Sequence, residues 1–150
     1  MLGCETSLHR GGVHVLTSEQ EETIRLRGLI YETSSRVPKS VSLSTHRNKH
    51  SQEARPDLYH TMSNASTQAY IHDAVVVVRH SNKKDKFVVF IKHHQYLPAN
   101  LAVAKLRGRR SQEPVWRGDV VVMKKSVHSD KLVNLVSKKD RALANFVVKR

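Results

Sequence analysis

Two apolar runs joined by a short polar segment constrain the fold of this chain more than any other feature of its sequence. Residues 74–78 are one alanine and four valines, and residues 87–91 are five apolar residues that include two phenylalanines. Runs of β-branched and aromatic residues favour strands, and runs without polar alternation are typical of strands buried on both faces. Because the segment between them ends in a polar turn at residues 81–85, the runs predict an antiparallel β-hairpin with its second strand over residues 86–92.

Shorter apolar segments add to this sheet. Residues 101–106 are consistent with a short strand, residues 120–123 with a clear third strand, and residues 132–136 with either a fourth strand or one helical turn. Apolar side chains at helical spacing predict a closing helix over residues 140–148. The expected fold class is α+β: a small antiparallel sheet, made of the hairpin and later strands, with a C-terminal helix.

The first half of the chain has a different composition. Residues 33–67 contain twelve serines and threonines among 35 residues, and their apolar side chains are sparse. Such a segment buries too little apolar surface to offset the entropy of ordering it. We therefore expect residues 1–68 to be a largely flexible Ser/Thr-rich arm and residues 69–150 to be the basic α+β module.

One short element is expected within this arm. Ser18 and Glu21 have the spacing of a capping box, which predicts a short helix near residues 19–31. Ile24 and Leu26, however, alternate with arginines as they would in a strand. Both interpretations of this segment are open from the sequence.

The net charge of +13 lies entirely in the second half. Residues 1–75 carry eight Lys/Arg and eight Asp/Glu, whereas residues 76–150 carry eighteen Lys/Arg and five Asp/Glu. Such asymmetry indicates a polyanionic partner, with nucleic acid ahead of an anionic membrane surface.

Basic residues cluster in this half at expected turns and strand ends, where they could line a phosphate-binding rim. Trp116, next to an arginine-rich loop, is a candidate for stacking on a base. The candidate nucleic-acid contacts are Lys83, Lys84, Lys86, Lys105, Arg107, Arg109, Arg110, Trp116, Lys124 and Lys125. The sequence thus favours non-catalytic binding of the RNA or DNA backbone; the alternative is a protein-interaction or accessory protein with an acidic partner.

Sequence features of catalytic and metal sites are weak. The six glycines show none of the spacings of nucleotide-binding loops. Ten histidines are present, but with a single cysteine no convergent set of zinc ligands is visible. The sequence therefore indicates no metal and no cofactor and favours a non-enzymatic role, while a hydrolase with an unrecognised site stays open as a third interpretation.

Cysteine content and apolar run length bear on location. Cys4 cannot form an internal disulfide, and polar residues interrupt any apolar stretch near Met1. The longest apolar runs, of five residues, are too short to span a membrane. We expect a cytoplasmic or nuclear protein without a membrane partner. A module of about 80 residues buries a marginal core, so association into a homo-oligomer would stabilise it.

Several segments resemble known families. Four are similar to uncharacterised small basic proteins of mushroom-forming fungi, a resemblance that covers about half the chain and implies no activity: HQYLP at 94–98, WRGDVVVMK at 116–124, VNL at 133–135 and DRALANF at 140–146. Residues 84–89 and 118–121 also resemble the hairpin and a later strand of an OB-fold ribosomal protein of the small subunit, a likeness of fold alone.

Overall fold

The computed structural model describes residues 2–3, 21–51, 53–58, 62, 70–93, 97–108, 116–129 and 131–149. The described strands are β1 (Leu2–Gly3), β2 (Glu21–Tyr31), β3 (Lys39–Asn48), β4 (Ala54–Pro56), β5 (Tyr70–His80), β6 (Lys83–His93), β7 (Val120–Lys125) and β8 (Leu132–Val133). The described helices are α1 (Leu101–Arg107) and α2 (Lys138–Lys149). The expected antiparallel sheet with a C-terminal helix is confirmed, although strands far outnumber helices.

These strands form one antiparallel sheet in the order β1-β5-β6-β7-β2-β3-β4, with β8 beside one end of β7. The predicted hairpin is β5–β6, and its register pairs His80 with Lys83. The turn is therefore only Ser81 and Asn82, shorter than the polar segment suggested, because strand pairing continues through charged residues. Ser81 has a φ of 52°, the left-handed conformation that such a tight turn requires.

The short helix predicted near residues 19–31 is wrong for the described part of that segment, which is strand β2. Its alternation of Ile24 and Leu26 with arginines was the correct signal. Partner strands on both sides, β3 and β7, supply the backbone hydrogen bonds that a helix would have satisfied internally. Ser18 lies outside the described residues.

The flexible arm is also wrong where it includes strands β3 and β4. Residues 1, 4–20, 52, 59–61 and 63–68 of the predicted arm lie outside the described residues. Strand β3 is rich in serine because only alternate side chains face the core: Leu43 is fully buried opposite Leu26, while its neighbours on the chain are more exposed. Pairing of β2 with β7 joins this region to the same sheet as β5 and β6. A boundary at residue 68 therefore does not separate irregular from ordered structure.

The residues 101–106, predicted as a strand, form helix α1 instead. Asn100 caps it, since the Asn100 Oδ1 accepts a hydrogen bond from the Val103 backbone N–H at 3.1 Å. Ala102 and Val103 are buried against the sheet. The segment after β7 includes the short strand β8, and the predicted C-terminal helix is confirmed as α2, on which Phe146 is 49% exposed.

Both faces of the sheet carry a core, because side chains alternate between them. The helix face packs against α1 and α2, and its strand residues include Phe87, Val89, Val120 and Val122. The far face carries a second core, which contains Val88, Phe90, Val121 and Met123. Side chains of β2, β3 and the segment after β4 belong to the same cluster. Strand β7 is the centre of the sheet, since residues 120–123 are each 0% exposed.

Gly28 allows β2 to lie close to β7 at the point where their pairing ends. A Cβ at Gly28 would lie 2.8 Å from the Val122 carbonyl oxygen, so only glycine allows β2 to approach β7 this closely. Beyond this point the segment after β8 takes over: the Leu135 backbone N–H donates to the Arg27 carbonyl at 2.9 Å. The end of β7 that carries Lys124 and Lys125 is thereby paired with β8 instead of β2.

Candidate functional site

The pleat of the sheet divides the predicted basic contacts between two faces. Lys125 shares the far face with Met123, and Lys124 shares the helix face with Val122. On β6, Lys86 lies on the far face with Val88. The β6–β7 register places Lys86 directly opposite Lys125. Two predicted residues that are distant in sequence are thus brought together.

A second basic pair lies in the adjacent row of the far face. Arg79 of β5 is the direct partner of Lys84 of β6. Both of these side chains are exposed, whereas Lys86 and Lys125 are half-buried. We call Arg79, Lys84, Lys86 and Lys125 the basic end of the far face. Arg79 was not predicted from the sequence; a two-residue turn at residues 81–82 would have placed it opposite Lys84.

Like charges that oppose each other directly across two strands destabilise a sheet. The basic end contains Lys86 and Lys125 in this relation, and Arg79 and Lys84 in the same relation one row further out.

Carboxylates instead collect on the helix face at this end of the sheet. The Lys124 Nζ lies 2.9 Å from Asp140 Oδ1 and 4.0 Å from Asp85 Oδ1. The His80 Nε2 lies 2.7 Å from the other oxygen of Asp85. Lys124, predicted as a ligand contact, therefore ties β7 to α2 and the hairpin. Lys83 is on this same face, where its side chain is exposed.

A third group of predicted residues lies on the helix side of the sheet. Trp116 packs against the core of the helix face. The Arg107 guanidinium carbon is 4.9 Å from the centre of the Trp116 ring, so a cation–π contact covers the ring. Lys105 is exposed on α1. Arg109 and Arg110, also predicted contacts, lie outside the described residues.

The buried polar groups near the start of β7 have structural partners. The Asp119 carboxylate, 1% exposed, accepts a hydrogen bond from the Thr33 backbone N–H at 3.0 Å. The Tyr31 hydroxyl, in a side chain that is 0% exposed, donates to Asn145 Oδ1 at 2.7 Å. Burial raises the pKa of Tyr31 above its usual value. These contacts join the end of β2 to α2 and to the start of β7, so these buried groups have structural roles. The candidate functional site is therefore the basic end of the far face.

Within the described ranges, no group of three or more His, Cys, Asp or Glu side chains could hold a metal ion. Neither described helix is long and apolar enough to cross a membrane. Compared with known proteins, the chain matches no family model, no curated protein and no solved structure. The resemblance to fungal proteins therefore stays a prediction.

Proposed function

We propose that this protein is a non-catalytic nucleic-acid-binding module whose contact surface is the basic end of the far face. The observation that carries the proposal is the direct cross-strand opposition of Lys86 and Lys125. Two ammonium groups at such positions repel each other, at a cost on the order of 0.2–1 kcal/mol. Both ammonium groups can donate hydrogen bonds to one phosphate placed between them.

The neighbouring row supports the same ligand. Arg79 and Lys84 add two exposed cations at the next far-face position toward the turn. A row of cations two strands wide suits successive phosphates of a backbone better than a single small anion. The opposite face of the same strands carries Asp85, which lies 2.7 Å from His80 and 4.0 Å from Lys124, so part of the positive charge there has an acidic neighbour.

The proposal relies on four cations rather than on all the residues singled out from the sequence. Lys124 is engaged by two carboxylates, and Arg107 covers Trp116. Both side chains lie on the helix side, away from the basic end. Base stacking on Trp116 is not needed for this mode of binding, which rests on charge and is therefore tolerant of sequence.

The test compares two charge-matched variants of the full chain by fluorescence anisotropy with labelled DNA, over a range of salt concentrations. Lys86→Gln/Lys125→Gln removes the central pair of the basic end. Lys139→Gln/Lys149→Gln removes two exposed cations from α2, with the same change in net charge. The first variant should lower the slope of log affinity against log salt by about 1.4–1.8, the contribution of two phosphate contacts, and the second should leave it unchanged.

A competitor separates nucleic acid from an acidic protein partner. Polyglutamate presents carboxylates without the phosphate spacing of a nucleic acid, so it should displace labelled DNA only at a large excess of charge. Equal losses of affinity in both variants would indicate diffuse attraction and contradict a defined surface. Displacement by polyglutamate at charge equivalence would favour an acidic protein as the ligand.

A further inference from the structure

We infer that the ligand is B-form duplex DNA and that the tip of the β5–β6 hairpin enters its major groove. This inference rests on the proposed function and specifies its substrate class. It follows from three features of the hairpin: how far it extends beyond the rest of the sheet, which side chains its tip carries, and which groove a two-stranded ribbon fits.

The hairpin extends beyond its neighbours. Pairing of β6 with β7 stops at Lys86, and the described pairing of β5 with β1 involves only Val75 and Val76. The pairs from Val78 with Asp85 to His80 with Lys83 continue past that point, followed by the turn. Val78 is still packed in the helix-face core at 6% exposure. The part of the ribbon that extends beyond both β7 and this core is therefore two residues a strand, about 7 Å, followed by the turn.

The tip carries groups that read base edges as well as groups that bind phosphates. Residues 79–84 are Arg-His-Ser-Asn-Lys-Lys, without a carboxylate. Arg79 can donate two hydrogen bonds to the O6 and N7 of guanine, and Asn82 can form a bidentate pair with adenine, both in the major groove. The next residue, Asp85, has its carboxylate engaged by His80 on the helix face. Residues 79–84 of the ribbon therefore carry cationic side chains and no carboxylate.

Groove dimensions decide which duplex fits. The major groove of B-form DNA is about 12 Å wide and admits a two-stranded β-ribbon, whereas its minor groove is about 6 Å wide. The major groove of A-form RNA is deep and narrow, so side chains cannot reach its base edges. With the tip in the major groove of DNA, Lys86 and Lys125 at the base of the ribbon would face the phosphates of the groove wall.

Single strands fit this surface less well. Proteins that bind them without sequence preference stack bases on aromatic side chains, at about 1–3 kcal/mol a base. Residues 77–86 contain no phenylalanine, tyrosine or tryptophan. Phe87, the next residue, is 0% exposed. The hairpin tip thus lacks the stacking surface that single-strand binding requires.

The experiment measures binding of the full chain to a DNA duplex of about 20 base pairs, to the RNA duplex of the same sequence and to each DNA single strand, at one salt concentration. The DNA duplex should bind at least about tenfold more tightly than the others, as expected from one good base-edge contact. Dimethyl sulfate footprinting should show protection of guanine N7 in the major groove. A drug that occupies the minor groove should leave affinity unchanged.

Variants connect these results to the tip. Arg79→Gln/Lys84→Gln should abolish the preference for DNA duplex and the N7 protection, and the matched Lys139→Gln/Lys149→Gln variant should retain both. Tighter binding to the RNA duplex or to single strands, or displacement by the minor-groove drug, would overturn this inference but leave the nucleic-acid function in place. Failure to bind any of these probes at about 50 mM salt, where backbone contacts are strong, would overturn both.

Discussion

The side-chain amide of Asn100 donates a hydrogen bond of 2.7 Å to the backbone carbonyl of Tyr31, a residue 69 positions earlier in the chain. Its second N–H donates to the Gly118 carbonyl at 2.8 Å, and its oxygen caps helix α1 at Val103. One buried side chain, 1% exposed, therefore joins the end of β2, the turn before β7 and the start of α1. Its hydrogen-bonding groups are satisfied, so its role is structural.

Replacement of Asn100 with alanine should destabilise the fold strongly. The substitution leaves two buried carbonyl groups without this donor and removes the cap of α1, at a combined cost of about 2–4 kcal/mol. Urea denaturation followed by circular dichroism measures the change in the free energy of unfolding. Asn100→Asp retains the cap but loses the donors, so it should also destabilise. A value within 0.5 kcal/mol of the wild type, roughly the range of neutral surface changes, would contradict this role.

Glycine at position 81 should stabilise the hairpin. Ser81 adopts a φ of 52°, and this left-handed conformation costs an L-residue about 1–2 kcal/mol that glycine avoids. Ser81→Gly should therefore raise the free energy of unfolding by about 1 kcal/mol, part of the gain being offset by the greater backbone freedom of unfolded glycine. Asn82→Gly is the matched control: Asn82 has no positive φ, so glycine there should be neutral or destabilising. A lower midpoint for Ser81→Gly than for wild type would refute the assigned turn.

Burial of the Tyr31 hydroxyl should make the folded protein less stable at alkaline pH. Because burial raises the pKa of the Tyr31 hydroxyl, the folded state keeps its proton at a pH where the unfolded chain, with a tyrosine pKa of about 10, loses it. The contribution of Tyr31 is therefore complete below this pH and decreases as the pH rises above it. Tyr31→Phe lacks this titration, and at neutral pH it should lose about 1–2 kcal/mol because Asn145 loses its donor.

Unfolding midpoints measured from pH 8 to 11 check the sign. The stability difference between wild type and Tyr31→Phe should narrow above pH about 10, where lysine titration affects both proteins equally. A constant difference across this range would show that the hydroxyl is not held in its neutral form.

The hairpin and the C-terminal helix were accessible from sequence because each carries a dense apolar pattern of the right period. Strand β3 was not, because a strand with one exposed face needs few apolar residues, and its serines resemble a linker. The helix near residues 19–31 was predicted from a local capping pattern, but this segment is strand β2, and the partner strands that determine its structure lie elsewhere in the sequence. Residues 101–106 likewise combine strand-forming and helix-forming side chains, and the buried cap at Asn100 decides between them.

The arrangement of the basic end could likewise not be predicted from the sequence alone. Lys84, Lys86 and Lys125 stood out as charges, but their arrangement depends on two registers that sequence does not supply. A shift of one residue in either strand would have moved one partner to the helix face. Lys124, adjacent to Lys125 in the chain, lies on the helix face, where its ammonium group contacts Asp140 and Asp85.

Charge reversal at the opposed lysines should separate stability from binding. Lys86→Glu turns the like-charged pair with Lys125 into an opposite-charged pair, and Lys125→Glu does the same from the other strand. Because both side chains lie on the far face, the interaction between the two positions should be more favourable in each single variant than in the wild type or the double variant, by about 0.2–1 kcal/mol. Each of the three variants should bind DNA more weakly than wild type, with a shallower salt dependence.

The double variant Lys86→Glu/Lys125→Glu is what makes this cycle decisive. It restores repulsion, now between two carboxylates, so its loss of stability should exceed the sum of the single changes. Urea denaturation of all four proteins yields the coupling free energy, from which any separate contact made by Lys86 cancels. Additive changes in stability would show that the two side chains do not meet, and they would remove the observation on which the nucleic-acid proposal stands. Stabilised single variants that keep wild-type affinity for DNA would instead retain the geometry and reject the function.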